Sequence, residues 1–209
     1  MFEIEVIDNF LDKKHFEKIK NIKLERINPD EIKVYHNEII RDEIRVNNGI
    51  NKELLIELNK RYHSIALDLL KKLSPQKLEL YEYSDFTLIN TGSNFKFPIH
   101  DDTPNKLLSG VIYISPEFNN GTFFYENKKL MPSQIIEWKQ NRAVFFSRIE
   151  KKTWHSYEGN KISNRLALVY NLMTNNIKRV CEIEKKNYYN SLIRFKLNPY
   201  LYRFLKFTI

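Results

Sequence analysis

Apolar residues at positions 54, 55, 58, 62, 65, 66, 69, 70 and 73 recur three and four apart, the spacing of one helical face. Ser74-Pro75 ends that run, because proline cannot donate the next helical hydrogen bond. A shorter helix is predicted over 13–22, with Asp12 as its N-cap and Phe16, Ile19 and Ile22 turned inward. Residues 2–11 ahead of it read as a short strand and turn. After Pro75 the period falls to two. Leu78 to Tyr83 alternates and Phe86 to Asn90 continues as a strand. Strand-like runs follow at 107–115, 121–126, 134–138, 143–147 and 165–173, divided by Asn-Gly, Pro-Ser, Lys-Lys and Gly-Asn turns. A close series of short strands predicts a sandwich or jelly roll. The expected fold class is therefore α+β with a mainly β core and N-terminal helices packed on it. No repeat or linker divides the 209 residues, so one domain is expected, with helical support over 1–77, a core over 78–175 and a covering segment over 176–209.

Composition narrows the classes. With 42% hydrophobic and 13% aromatic residues the chain can bury a core, which excludes disorder. No apolar run approaches the ~20 residues of a membrane span, so no transmembrane segment is expected. The acidic opening Met1-Phe2-Glu3-Ile4-Glu5 lacks the basic start of a signal peptide, and a cytoplasmic location is the expectation. A single cysteine, Cys181, excludes a disulfide framework and a four-cysteine zinc site. The net charge of +8 would suit nucleic acid, but the basic residues are interspersed with acids in a chain rich in Lys, Asn and Ile. Small anionic molecules are the expected partners, and nucleic acid is not.

Of the five histidines, His15, His36 and His63 stand in ordinary helical or charged contexts, expected to be surface or half-buried. His100 precedes Asp101 and Asp102. In an extended segment residues i and i+2 share a side, so His100 and Asp102 can hold one metal while Asp101 points away. His155, on a distant strand, would complete a two-histidine, one-carboxylate set that leaves positions open and suits non-haem Fe(II). Arg165, ten residues beyond, opens an apolar strand and needs an anion there: either a ligand carboxylate gripped at two points or a local acid such as Glu158.

These residues, in this order, resemble the Fe(II)- and 2-oxoglutarate-dependent oxygenases, in their prolyl 4-hydroxylase-like branch. The opening Val6-Ile7-Asp8-Asn9-Phe10-Leu11-Asp12 is similar to that family's customary start. His100-x-Asp102, the strand ending Val111-Ile112-Tyr113-Ile114, Asn120-Gly121, His155 and Arg165 follow in the family's sequence. The resemblance implies a double-stranded β-helix, with His100, Asp102 and His155 as iron ligands and Arg165 binding the distal carboxylate of 2-oxoglutarate. Tyr113 matches a position whose phenol also reaches that carboxylate; its other reading is a sheet aromatic. Asn120 replaces a frequent glycine, and Asn90 stands where some members carry a tyrosine. The cofactors implied are Fe(II), 2-oxoglutarate and O₂, with ascorbate as reductant. The reaction implied is hydroxylation of a peptide side chain, an amino acid or a small-molecule or glycan intermediate.

Phe97 and Trp154 are candidates for a substrate lip, and Arg148, Lys151 and Lys152 read as a solvated turn. The basic, aromatic tail, with Tyr188, Arg194 and Tyr202 among its residues, is expected to cover the core in part as helix. Two other functions fit the pattern less well. A nucleic-acid demethylating oxygenase would resemble members with a second arginine six residues after the first, where this chain has Asn171. A non-catalytic β-sandwich binding module should have lost a ligand or the arginine.

Overall fold

The structure is a computed structural model that describes residues 2–128 and 131–205, with side chains through Leu197 and at Leu201. Two antiparallel sheets carry the fold. In chain order the strands are β1 (Glu5–Ile7), β2 (Ile32–Tyr35), β3 (Glu38–Ile40), β4 (Glu43–Val46), β5 (Tyr83–Thr91) and β6 (Lys96–His100). They continue as β7 (Lys106–Ser115), β8 (Thr122–Tyr125), β9 (Gln134–Ile136), β10 (Ala143–Phe146), β11 (Trp154–Glu158) and β12 (Arg165–Met173). The larger sheet runs β1-β10-β7-β12-β5-β3-β4, with β2 also paired to β5, and the smaller runs β6-β11-β8-β9. From β5 onward the chain crosses repeatedly from one sheet to the other.

Helices α1 (Lys13–Lys20) and α2 (Lys52–Leu73) form where the periodicity places them. Asp12 caps α1 by accepting from the His15 amide, and Asn51 caps α2 by accepting from Leu54. The inward face of α2 packs on the larger sheet, contributing Leu54, Leu55, Leu58 and Leu70 to the main core. His15 is buried there rather than half-exposed, because its face of α1 meets Tyr62 and Glu57 of α2.

β12 is buried along its whole length because it is covered on both faces. Leu166, Leu168, Tyr170 and Leu172 join the helix-side core, while Arg165, Ala167 and Val169 face the space between the sheets. A second apolar group, Tyr113, Phe124, Ile136, Val144 and Phe146, fills part of that space. The remainder is a cavity of about 340 Å³.

Two sequence expectations change. The N-terminal support carries more than the short strand expected over 2–11, since β2 to β4 also extend the larger sheet. The β3–β4 hairpin turns through Arg41 and Asp42, both at positive φ (46° and 67°), without the Asn-Gly or Asp-Gly pair that announces such turns. Residues 75–80 form a 3₁₀ turn, so the strand expected from Leu78 begins only at Tyr83, with Pro75 opening the turn and Lys77 drawn inward to Glu184. The tail carries α3 (Ile177–Ile183) and α4 (Tyr188–Leu205), while the Tyr202 side chain and residues 206–209 lie outside the described residues.

Gly110 in β7 sits under the ring of Phe145, where an added Cβ would meet Cε1 at 2.1 Å. Phe145 is fully buried and wedged against Phe10, so it has little room to retreat. Gly110→Ala should cost about 1–3 kcal/mol of stability by overpacking, read from chemical denaturation. Wild-type stability in this variant would contradict the packing.

Candidate metal centre and anion pocket

β6 and β11 are neighbours, and their pairing sets His155 opposite His100 with ring centroids 4.2 Å apart. Asp102, just past the end of β6, lies 3.9 Å from Nε2 of each histidine. One donor atom from each of His100, Asp102 and His155 falls within 4.8 Å of the others, close enough to share one ion. Among the described residues no other group of three or more His, Cys, Asp or Glu converges in this way.

The imidazoles are oriented by their own backbones. Nδ1 of His100 lies 2.9 Å from the Pro98 carbonyl, and Nδ1 of His155 lies 2.9 Å from the Thr153 carbonyl. A carbonyl only accepts, so each Nδ1 carries the proton and each Nε2 presents a lone pair to the centre. Burial, with the neighbouring His155 second, pushes His100 down to about 3, which keeps it neutral and able to coordinate. For Asp102, burial acts to raise the pKa. Lys106 and the two imidazoles outweigh it and hold the carboxyl well below the usual carboxylate range. Lys106 Nζ donates to its Oδ1 (2.7 Å) and Ser109 Oγ to its Oδ2 (2.6 Å).

Asp101 points away, as the alternation requires. It accepts from the Lys151 amide (2.6 Å) and pairs with Arg194 of α4 (2.9 Å). Arg148, read from sequence as part of a solvated turn, is 2% exposed. Its Nε donates to the Asp102 carbonyl (3.0 Å) and its Nη1 to Glu184 (2.7 Å). Lys77, Glu184, Arg148, Glu150, Arg194 and Asp101 thus form a chain of alternating buried charges that ties the C-terminal helices to the ligand segment. Apart from the Arg148–Glu150 link, no local sequence signal could have found it, because the other partners lie 36 to 107 positions apart.

Arg165 lies on the same cavity at 6% exposure. Its guanidinium carbon stands 3.9 Å over the Tyr157 ring, 5.3 Å from Trp138 and 5.6 Å from Tyr113. Its Nε has no hydrogen-bond partner, and among the described residues no carboxylate pairs with it. The local alternative is taken elsewhere, since Glu158 binds Lys96 at 2.6 Å. Tyr113 is fully buried and stacked on Trp138. It is not on the cavity wall; its hydroxyl meets Thr122 (2.7 Å), which is. Phe97 lines the cavity. Trp154 does not. As the strand neighbour of His155 it leaves the cavity wall and carries Lys128 over its ring at 4.7 Å.

No family model and no curated protein matches the sequence. Solved structures share the fold. An oxidoreductase of the 2OG-Fe(II) oxygenase family from Burkholderia pseudomallei is 14% identical, with 81% of this chain and 84% of that one covered at a TM-score of 0.59. A prolyl hydroxylase from Trichoplax adhaerens, solved with a hypoxia inducible factor oxygen degradation domain peptide fragment, is 16% identical over 84% and 85% at 0.56. A prolyl-4-hydroxylase from Pseudomonas putida is 10% identical over 84% and 95% at 0.55.

Ser109 holds Asp102 without joining the three converging donors, so Ser109→Ala should weaken divalent-metal binding by about 10- to 100-fold in a metal titration. Asp101→Ala should leave metal affinity near wild type but lower stability. The loss should be smaller than the ~3–5 kcal/mol of a fully broken buried pair, because Arg194 keeps Glu150. The opposite pattern, with metal lost only in the Asp101 variant, would mean the carboxylates are misassigned.

Proposed function

We propose that this chain is an Fe(II)- and 2-oxoglutarate-dependent dioxygenase that hydroxylates a peptide side chain, an amino acid or a small-molecule or glycan intermediate. The crossing of β5 to β12 between two sheets supports a double-stranded β-helix, and the whole chain is read as one such domain. The observation that carries the reading is Arg165, buried without a carboxylate partner among the described residues, on the cavity that also holds the three-ligand centre.

His100, Asp102 and His155 would hold the metal, leaving the remaining positions for cosubstrate and oxygen. Bound together, Fe(II), 2-oxoglutarate and O₂ would supply an oxidative decarboxylation to succinate and CO₂ coupled to hydroxylation. The protein orients and protects. Arg165 offers its two-point fork to the distal carboxylate, and Thr122 can donate to the same group while accepting from Tyr113. Tyr113 acts in this reading through Thr122 and through its ring. Tyr157, Trp138 and Tyr113 hold the unliganded guanidinium in place by cation–π contact and exclude water. Retention of all three ligands and the arginine favours an enzyme over a binding module. Asn171 gives the cavity-facing row no second arginine, which disfavours a nucleic-acid substrate.

The test is succinate release with Fe(II), 2-oxoglutarate and ascorbate. Arg165→Lys keeps the charge but loses the fork, so the apparent 2-oxoglutarate KM should rise roughly ten- to a hundredfold, at ~1.4 kcal/mol per factor of ten. Fe(II) affinity without cosubstrate should hardly change. A variant with normal KM and only reduced stability would reassign Arg165 to a structural role.

A further inference from the structure

The larger sheet carries one cross-strand row at the level of the metal centre. Asp85 of β5 pairs with Asn171 of β12, Asn171 with Ser109 of β7, and Ser109 with Phe146 of β10. Residues directly opposite on paired strands share a face. Ser109 and Phe146 line the cavity, Ser109 holds Asp102, and the Phe146 ring lies 5.0 Å from that of His155. Asp85 and Asn171 therefore face the same side, beyond Ser109 and outside the residues that line the cavity. At ~4.8 Å between strands, the Asp85 backbone stands about 10 Å from Ser109.

This end of the row is rich in acceptors and short of donors. Asp85 takes Thr87 Oγ1 on Oδ1 (2.7 Å) and Asn171 Nδ2 on Oδ2 (2.8 Å). Asn171 is 1% exposed, and its Oδ1 has no partner among the described residues. Turning the amide over would not help, because a carboxylate offers it no donor. Each oxygen of Asp85 also keeps acceptor capacity. The cations nearby are committed or wet. Lys106 donates to Asp102, and His36, 3.8 Å from Asp85 and raised by it toward the protonated form, pairs with it only from a position 64% exposed to water. A buried amide oxygen beside a buried carboxylate asks for a ligand that brings several N–H donors and positive charge.

We propose that Asp85 and Asn171 form a substrate subsite for a cationic nitrogen, an ammonium or guanidinium group, placed so that the carbon skeleton attached to it extends along the row toward the metal. The proposal rests on the dioxygenase reading and narrows its substrate to amino-bearing compounds, either a free amino acid or a basic residue within a peptide.

The test is binding of n-butylammonium against neutral n-butanol, followed by ligand-observed NMR on the full chain. It is run metal-free and with Zn(II) plus 2-oxoglutarate. At least tenfold tighter binding of the ammonium is expected, and Asp85→Asn should erase that preference. Equal binding of the two probes to wild type, or a preference that survives Asp85→Asn, would overturn the subsite and leave Asn171 bonded to water only. The wild-type comparison decides by itself if the variant fails to fold. L-lysine against N-acetyl-L-lysine methylamide then separates the sources: tighter binding of the free compound marks an amino acid, equal binding a peptide residue. Wild-type succinate release is read separately. Its absence beside an intact ammonium preference would sink the dioxygenase reading and not the subsite.

Discussion

Removing a guanidinium from water costs several kcal/mol unless something replaces its hydration, and at Arg165 no carboxylate among the described residues does so. Three aromatic faces compensate in part, each contact contributing on the order of 0.5–2 kcal/mol. They leave its Nε without a hydrogen-bond partner. The rest of the architecture makes that arrangement stable: β12 is clamped between helices and cavity, so its first residue cannot swing out to solvent. In the proposed reading, a charge held in this way receives an anion that the described residues do not provide.

The metal centre is built by a different economy of contacts. Two backbone carbonyls fix the histidine tautomers, and two side chains hold the carboxylate. Behind them, Arg148 joins the Asp102 carbonyl to the buried charges of α3 and α4. The C-terminal segment is thus more than a cover, because Asp101 and Arg148 couple its seating to the geometry of the ligand strand.

Much of this was legible in the sequence. The i, i+2 relation of His100 and Asp102 needed only an extended backbone, and the apolar run after Arg165 already implied a buried cation. Helix α2 was visible from its period because its buried face is continuous. What escaped depends on distant partners. The β3–β4 hairpin turns on Arg41-Asp42, residues that do not advertise positive φ. The inward position of Arg148 is decided by Glu184, and the exit of Trp154 from the cavity by the alternation that puts His155 in it. The meaning of Asn171 changed most: in sequence it marked a missing arginine, whereas in the fold its unpartnered oxygen sits beside Asp85.

The central claim is that one cavity holds a metal and a dicarboxylate at opposite ends. Anaerobic calorimetric titration of 2-oxoglutarate into the chain with and without Fe(II) tests it most directly. The account predicts one 2-oxoglutarate bound per chain, with affinity strongly raised by stoichiometric Fe(II), because the metal and Arg165 grip the two ends of the same molecule. Binding that is indifferent to Fe(II), or none at all in the iron-loaded protein, would contradict it.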